Sequence, residues 1–120
     1  MSKPAHYVLD IYGTSLHAAF DRKAWKALRH ENPGLQKRRT LGAGLTHYDL
    51  DRDGTQHLWI WVDANAHHYK WSLLNTIAHE ATHAAAFICE RHEIDLNASR
   101  SEPLAYLSGW IAEWLWKNRP

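Results

Sequence analysis

The sequence predicts a single α+β domain covering residues 1–120, with elements in the order β-α-β-β-α-α and a small sheet packed on a long helix. Three observations carry this prediction. The chain has 120 residues, of which 45 % are hydrophobic, enough for one core without disulfide staples and too few for two. Short runs of β-branched and aromatic residues stand at His6–Tyr12 and His57–Asp63, the first ending at Gly13 and the second following Asp53-Gly54, as strands do. Apolar residues then recur at helical intervals through two segments of the C-terminal half.

Taken in order, His6–Tyr12 reads as the first strand. Thr14 or Ser15 reads as a helix N-cap. Leu16, Phe20, Ala24 or Trp25, and Leu28 follow at spacings that predict an amphipathic helix, stopped at Asn32-Pro33-Gly34. Leu41–Leu50 reads as a strand with a kink at Gly42 or Gly44. Asp51-Arg52-Asp53-Gly54 reads as a turn, and with His57–Asp63 it predicts a hairpin. From Tyr69 to Arg91, Leu73 or Leu74, Ile77, Ala81, Ala84 or Ala85, and Ile88 share one helical face. After a loop at 94–100, Ser101 is an N-cap and Pro103 is tolerated in the first turn. Leu104, Leu107, Ile111 and Leu115 then predict a last helix to about Lys117.

The formal net charge is +1, with charges of both signs well mixed, which leaves no electrostatic footprint of a nucleic-acid binder. Lys37-Arg38-Arg39 reads as a solvated loop. The one cysteine, Cys89, cannot form an intrachain disulfide and fits a reducing compartment. The first ten residues lack the apolar run of a signal peptide, and no stretch is long enough to span a membrane. These features predict a cytoplasmic protein. Ten histidines and seven tryptophans stand out. The tryptophans read mostly as core, with Trp59 and Trp61 on one strand face and Trp110, Trp114 and Trp116 crowded on the last helix. Seven are too many to bury completely in so small a domain.

His79-Glu80-Ala81-Thr82-His83 carries the chemistry. Residues four apart on a helix lie one turn apart on one face, so both imidazoles can reach one metal ion. Glu80 can reach water at that ion without ligating it. A catalytic zinc needs a third protein ligand and an open fourth position. Glu102, 19 positions beyond His83, is favoured because the next helix can fold its opening turn back to the histidines. Glu113 lies deeper in that helix and Asp95 in the preceding loop, and both stay open.

His79-Glu80-Ala81-Thr82-His83 followed by Glu102 resembles the gluzincin clan of zinc metallopeptidases. Ser101-Glu102-Pro103-Leu104-Ala105-Tyr106 is similar to the segment around that clan's glutamate ligand, with Ser101 where an asparagine often stands. The chain also looks like small HExxH proteins found in bacteriophage genomes. The resemblance covers about residues 57–116 and is specific at the ligands. It implies a minimal zincin-like fold and one zinc per chain, held by His79, His83 and Glu102, with Glu80 as the general base. It also implies that the strand at His57–Asp63 is a sheet edge aligning peptide substrates.

The function implied is a zinc-dependent hydrolase cleaving a protein or peptide, with neither nucleic acid nor membrane as partner. The alternative is a non-catalytic zinc-containing protein on the same scaffold that binds or inhibits a host protein. Tyr106, four residues after Glu102, is a candidate oxyanion donor. His67, His68 and Tyr69 precede the motif helix in a loop and either line the cleft or simply face solvent. Asp63, Asp95 and Ser101 are candidate hydrogen-bond partners for the ligating imidazoles. Thr82 is expected to bond back to a helix carbonyl or face the core. Cys89 reads as a small buried residue rather than a ligand.

Overall fold

The computed structural model describes residues 3–37, 41–94 and 96–120. Strand β1, Ala5–Leu9, runs into one turn of 3-10 helix at Asp10–Tyr12. Gly13, in the left-handed region at φ 56, reverses the chain into β2, Thr14–Ala19, which pairs antiparallel with β1 from Leu9↔Thr14 to Ala5↔Ala18.

This corrects the helix expected to start at Thr14 or Ser15. The helix, α1, spans Arg22–Glu31, and its N-cap is Asp21, whose carboxylate accepts the Ala24 backbone N–H at 2.8 Å. Every residue of β2 is buried, because helices cover both faces of the sheet there. A strand buried on both faces loses the in-out alternation by which a strand is read. The C-terminal half of the expected helix is correct: Ala24, Trp25 and Leu28 are its buried face, and it ends at Asn32.

β3, Gly44–Leu50, and β4, Gln56–Val62, form the expected antiparallel hairpin. Gly54 takes φ 82 in the turn, and the Asp51 carboxylate accepts the Asp53 and Thr55 backbone N–H groups at 2.9 and 3.0 Å. β2 pairs parallel with β4, giving a mixed four-stranded sheet in the order β1-β2-β4-β3. β4 is therefore an interior strand, which corrects the expectation that His57–Asp63 forms an edge. The additional strand β2 occupies its far side, and β3 is the edge.

Helix α2, Lys70–Arg91, and helix α3, Glu102–Asn118, have the expected bounds to within a residue or two. Both cover one sheet face, where Leu16, Leu58, Ile60 and Val62 meet Ile77, Ala81, Ile88, Leu107 and Ile111. The opposite face packs Trp59 and Trp61 against Trp25 and Leu28 of α1. The observed order is thus β-β-α-β-β-α-α, an α+β domain with one more strand than expected. Trp25, Trp59 and Trp61 are buried, Trp110, Trp114 and Trp116 are half-buried, and Trp71 is 70 % exposed. Cys89 is buried, and burial pushes its thiol pKa up. No helix among the described residues is long and apolar enough to cross a membrane.

Candidate metal centre

The HExxH segment occupies the middle of α2, with Ala81 buried against the sheet and His79 and His83 exposed. Helical spacing places the two imidazoles one turn apart, and their Nε2 atoms approach to 3.1 Å. The approach is bent. The ring centroids lie 4.7 Å apart and the planes stand at 79°, whereas a head-on N–H···N bond at this separation holds the centroids about 5.3 Å apart. One Nε2–H donates to the other in this arrangement, and loss of that proton would leave two imidazole lone pairs side by side on one helix face. Two nitrogens on a tetrahedral zinc stand about 3.3 Å apart, from Zn–N bonds of about 2.05 Å. The pair already has nearly that span, so the donor set fits zinc at these two positions.

Glu80 faces β3 and is only 4 % exposed. The Thr46 hydroxyl donates to its Oε1 at 2.8 Å. The carboxylate is therefore held by a strand rather than left to sample rotamers in water. Gly44 makes this fit possible. A Cβ there would lie 2.6 Å from Glu80 Oε2 and 2.9 Å from Thr76 Cγ2. Gly44→Ala should therefore displace the Glu80 carboxylate or part β3 from α2, lowering stability by about 1–3 kcal/mol as overpacking does, and urea denaturation checks this.

Two clefts flank the contact of Gly44 with Glu80. One, of about 320 Å³, is lined by Ala43, Gly44, Asn75, Thr76, His79 and Glu80. The other, of about 310 Å³, lies between Leu45, Thr46, His79, His83 and Phe87, and Phe87 stacks on Tyr48 of β3 at 5.2 Å. Together they make an open groove between edge strand β3 and the motif helix.

The structure brings His79, His83 and Glu80 together, while Glu102 stands exposed as the first residue of α3. Among the described residues, no group of three or more His, Cys, Asp or Glu side chains is arranged to hold a metal ion. Glu113 is exposed and paired with Lys117 at 2.7 Å, which lowers its carboxyl pKa. Asp95 lies outside the described residues, as do Arg38 and Arg39 of the basic run.

Tyr106 is 72 % exposed and lines neither cleft. Asp63 accepts the Asn65 backbone N–H at 3.0 Å, capping a short turn rather than meeting a histidine. His67 Nδ1 shares a hydrogen bond with Ser72 Oγ at 2.8 Å, and its Nε2 is buried without a partner. His68 and Tyr69 are exposed. Thr82 donates to the Ala78 carbonyl at 2.8 Å, as expected. Thr46 was not foreseen: it lies 34 residues from Glu80, and only the sheet register places it there. Gly44 had a faint signal, as one of two glycines inside a strand pattern. Searches of family models, curated proteins and solved structures found no match to this chain.

Proposed function

We propose that the chain is a zinc-dependent hydrolase of gluzincin type that cleaves peptide bonds, with His79, His83 and Glu102 as ligands and Glu80 as general base. The observation that carries this reading is the approach of the two Nε2 atoms to 3.1 Å beside a buried, hydrogen-bonded Glu80. Zinc bound there would supply Lewis acidity to a carbonyl oxygen and lower the pKa of water. Glu80 then takes the proton from the attacking water and returns it to the leaving amine. The groove runs along edge strand β3, whose outer side has no strand neighbour among the described residues. An extended peptide suits such an edge, because it can extend the ladder of backbone hydrogen bonds.

The carboxylate of Glu102 must join the histidines when metal binds. The buried residues of α3 begin at Leu107 and Glu102 itself is exposed, so its side chain can turn without unpacking the core, and coordination supplies the driving energy. A buried lone Cys89 fits work in the cytoplasm on a protein or peptide. The non-catalytic alternative gives no reason for Thr46 and Gly44 to hold a carboxylate beside the ligand pair.

The test is elemental analysis and zinc titration of purified protein. Wild type should hold about one zinc per chain. His79→Ala and His83→Ala should abolish binding, and Glu102→Ala should raise Kd by more than the roughly 10- to 100-fold that loss of a ligand's own hydrogen-bond partner costs. Normal binding by Glu102→Ala would move the third ligand elsewhere. No uptake by wild type would end the reading.

A further inference from the structure

The sheet face turned away from the HExxH helix carries histidine chemistry that the proposed hydrolase does not use. His6, His17, Trp59 and His47 lie side by side across all four strands, through the pairs His6↔His17, His17↔Trp59 and His47↔Trp59. His57 and Asp49 form the neighbouring row on the same face. His57 Nε2 meets Asp51 Oδ2 at 2.9 Å, and His57 Nδ1 meets His17 Nε2 at 3.0 Å.

A carboxylate accepts only, so His57 carries its proton on Nε2 and accepts at Nδ1. His17 must then donate from its own Nε2, which leaves a lone pair on its Nδ1. The His17 and His57 rings are 22° from coplanar with centroids 5.2 Å apart, the head-on arrangement that a linear hydrogen bond needs. Asp51, His57 and His17 thus form a hydrogen-bonded chain ending in the sheet.

His17 is only 8 % exposed. Trp59 stacks on it at 3.9 Å and His6 at 4.8 Å. The titratable groups around it are His6 from β1, His57 from β4, His47 and Asp49 from β3, Asp51 from the turn, and Glu31 of α1, which lines the adjoining cavity of about 450 Å³. Among the described residues, no lysine or arginine lines that cavity.

We propose that this row of histidines is an acid-operated latch on strand β1: charging His17 between His6 and His57 releases β1 from β2 and leaves β2, β4 and β3 paired. β1 is the element to go, because it pairs with β2 alone. His6 lies directly opposite His17, so lifting β1 takes the stacked His6 ring away and opens that side of His17 to water. Against this, Tyr7 of β1 leans on Trp110 of α3 at 5.0 Å, which sets the closed state at neutral pH.

The sign follows from linkage. Burial first, then the nearby His6 and His57, push the His17 pKa from 6.5 down to about 3. Above pH 6.5 neither the closed nor the open form binds the proton. Below it the open form, with His17 hydrated, binds a proton that the closed form refuses. Closure is therefore lost progressively as pH falls from 6.5 to about 3, about tenfold per pH unit.

The experiment is native-state amide exchange at about pH 7.5 and 4.5, corrected for intrinsic rates, with β4 as internal reference. The β1 opening constant should rise about 100-fold relative to β4, and His17→Phe, which keeps the stack on Trp59 without titrating, should abolish that rise. An unchanged pH response in His17→Phe would overturn the latch. Should that variant not fold, imidazole nitrogen shifts of the wild type decide. A His17 that stays neutral at about pH 5 with its proton on Nε2 supports the latch. A His17 that titrates near its ordinary value while β1 stays protected refutes it.

Discussion

Glu80→Gln should leave zinc content and fold unchanged and lower hydrolysis of an unfolded protein substrate by about 100- to 10,000-fold, the range for loss of a general base. The substitution is nearly isosteric. Its amide oxygen can still accept from the Thr46 hydroxyl, which now holds the carboxylate at 2.8 Å, and its shape still fits beneath Gly44. What it lacks is the ability to take a proton. Because Glu80 is not among the proposed ligands, metal analysis and cleavage assays should separate. Cleavage that persists at wild-type rate with metal bound would refute Glu80 as the base. Equal loss of metal and activity would mean that Glu80 supports the ligand pair instead.

Trp61→Ala should be the most damaging single truncation in the core, costing about 3–5 kcal/mol. Trp61 is 1 % exposed, its indole N–H donates to the Gly42 carbonyl at 2.8 Å, and its ring meets Trp25 at 5.9 Å. Truncation leaves a large cavity between β4 and α1 and an unpaired carbonyl. Trp71→Ala is the matched control. Trp71 is 70 % exposed and stacks on exposed Tyr69, so its loss should move the urea midpoint little, within about 0.5 kcal/mol. Comparable losses in the two variants would contradict the packing described for α1 on the sheet.

The C-terminal half was legible because its periods are long and its punctuation strong. α2 and α3 have 22 and 17 residues, and Asp51–Gly54 leaves the hairpin no other turn. The N-terminal half misled because Leu16 and Phe20 are spaced four apart, which suits a helix, while Leu16, Ala18 and Phe20 equally suit a strand. Burial of β2 on both faces removed the polar positions that would have decided between them. That one error hid two features. It removed the strand that covers the far side of His57–Asp63, which the family resemblance implied to be an edge, and it placed His17 on a helix, far from His57. Of the candidate site, the local part was readable, since His79, Glu80 and His83 follow from helical geometry alone. Thr46 and Gly44 reach Glu80 only through tertiary packing. Glu102 is on the opening turn of α3 as expected, but among the described residues it is not grouped with the histidines.

The parallel pairing of β2 with β4 also bears on the route by which the chain folds. Thr14 and Gln56, bonded at 2.8 Å, are 42 residues apart, whereas β3 and β4 are joined by a short turn. Hairpins close in about 1–10 μs, but a contact across so long a loop must first overcome its closure entropy. The β3–β4 hairpin with α2 is therefore the expected nucleus, and β2, bringing β1 with it, docks last. Mutations in Leu58 or Ile60 should then slow folding, while mutations in β1 should mainly speed unfolding.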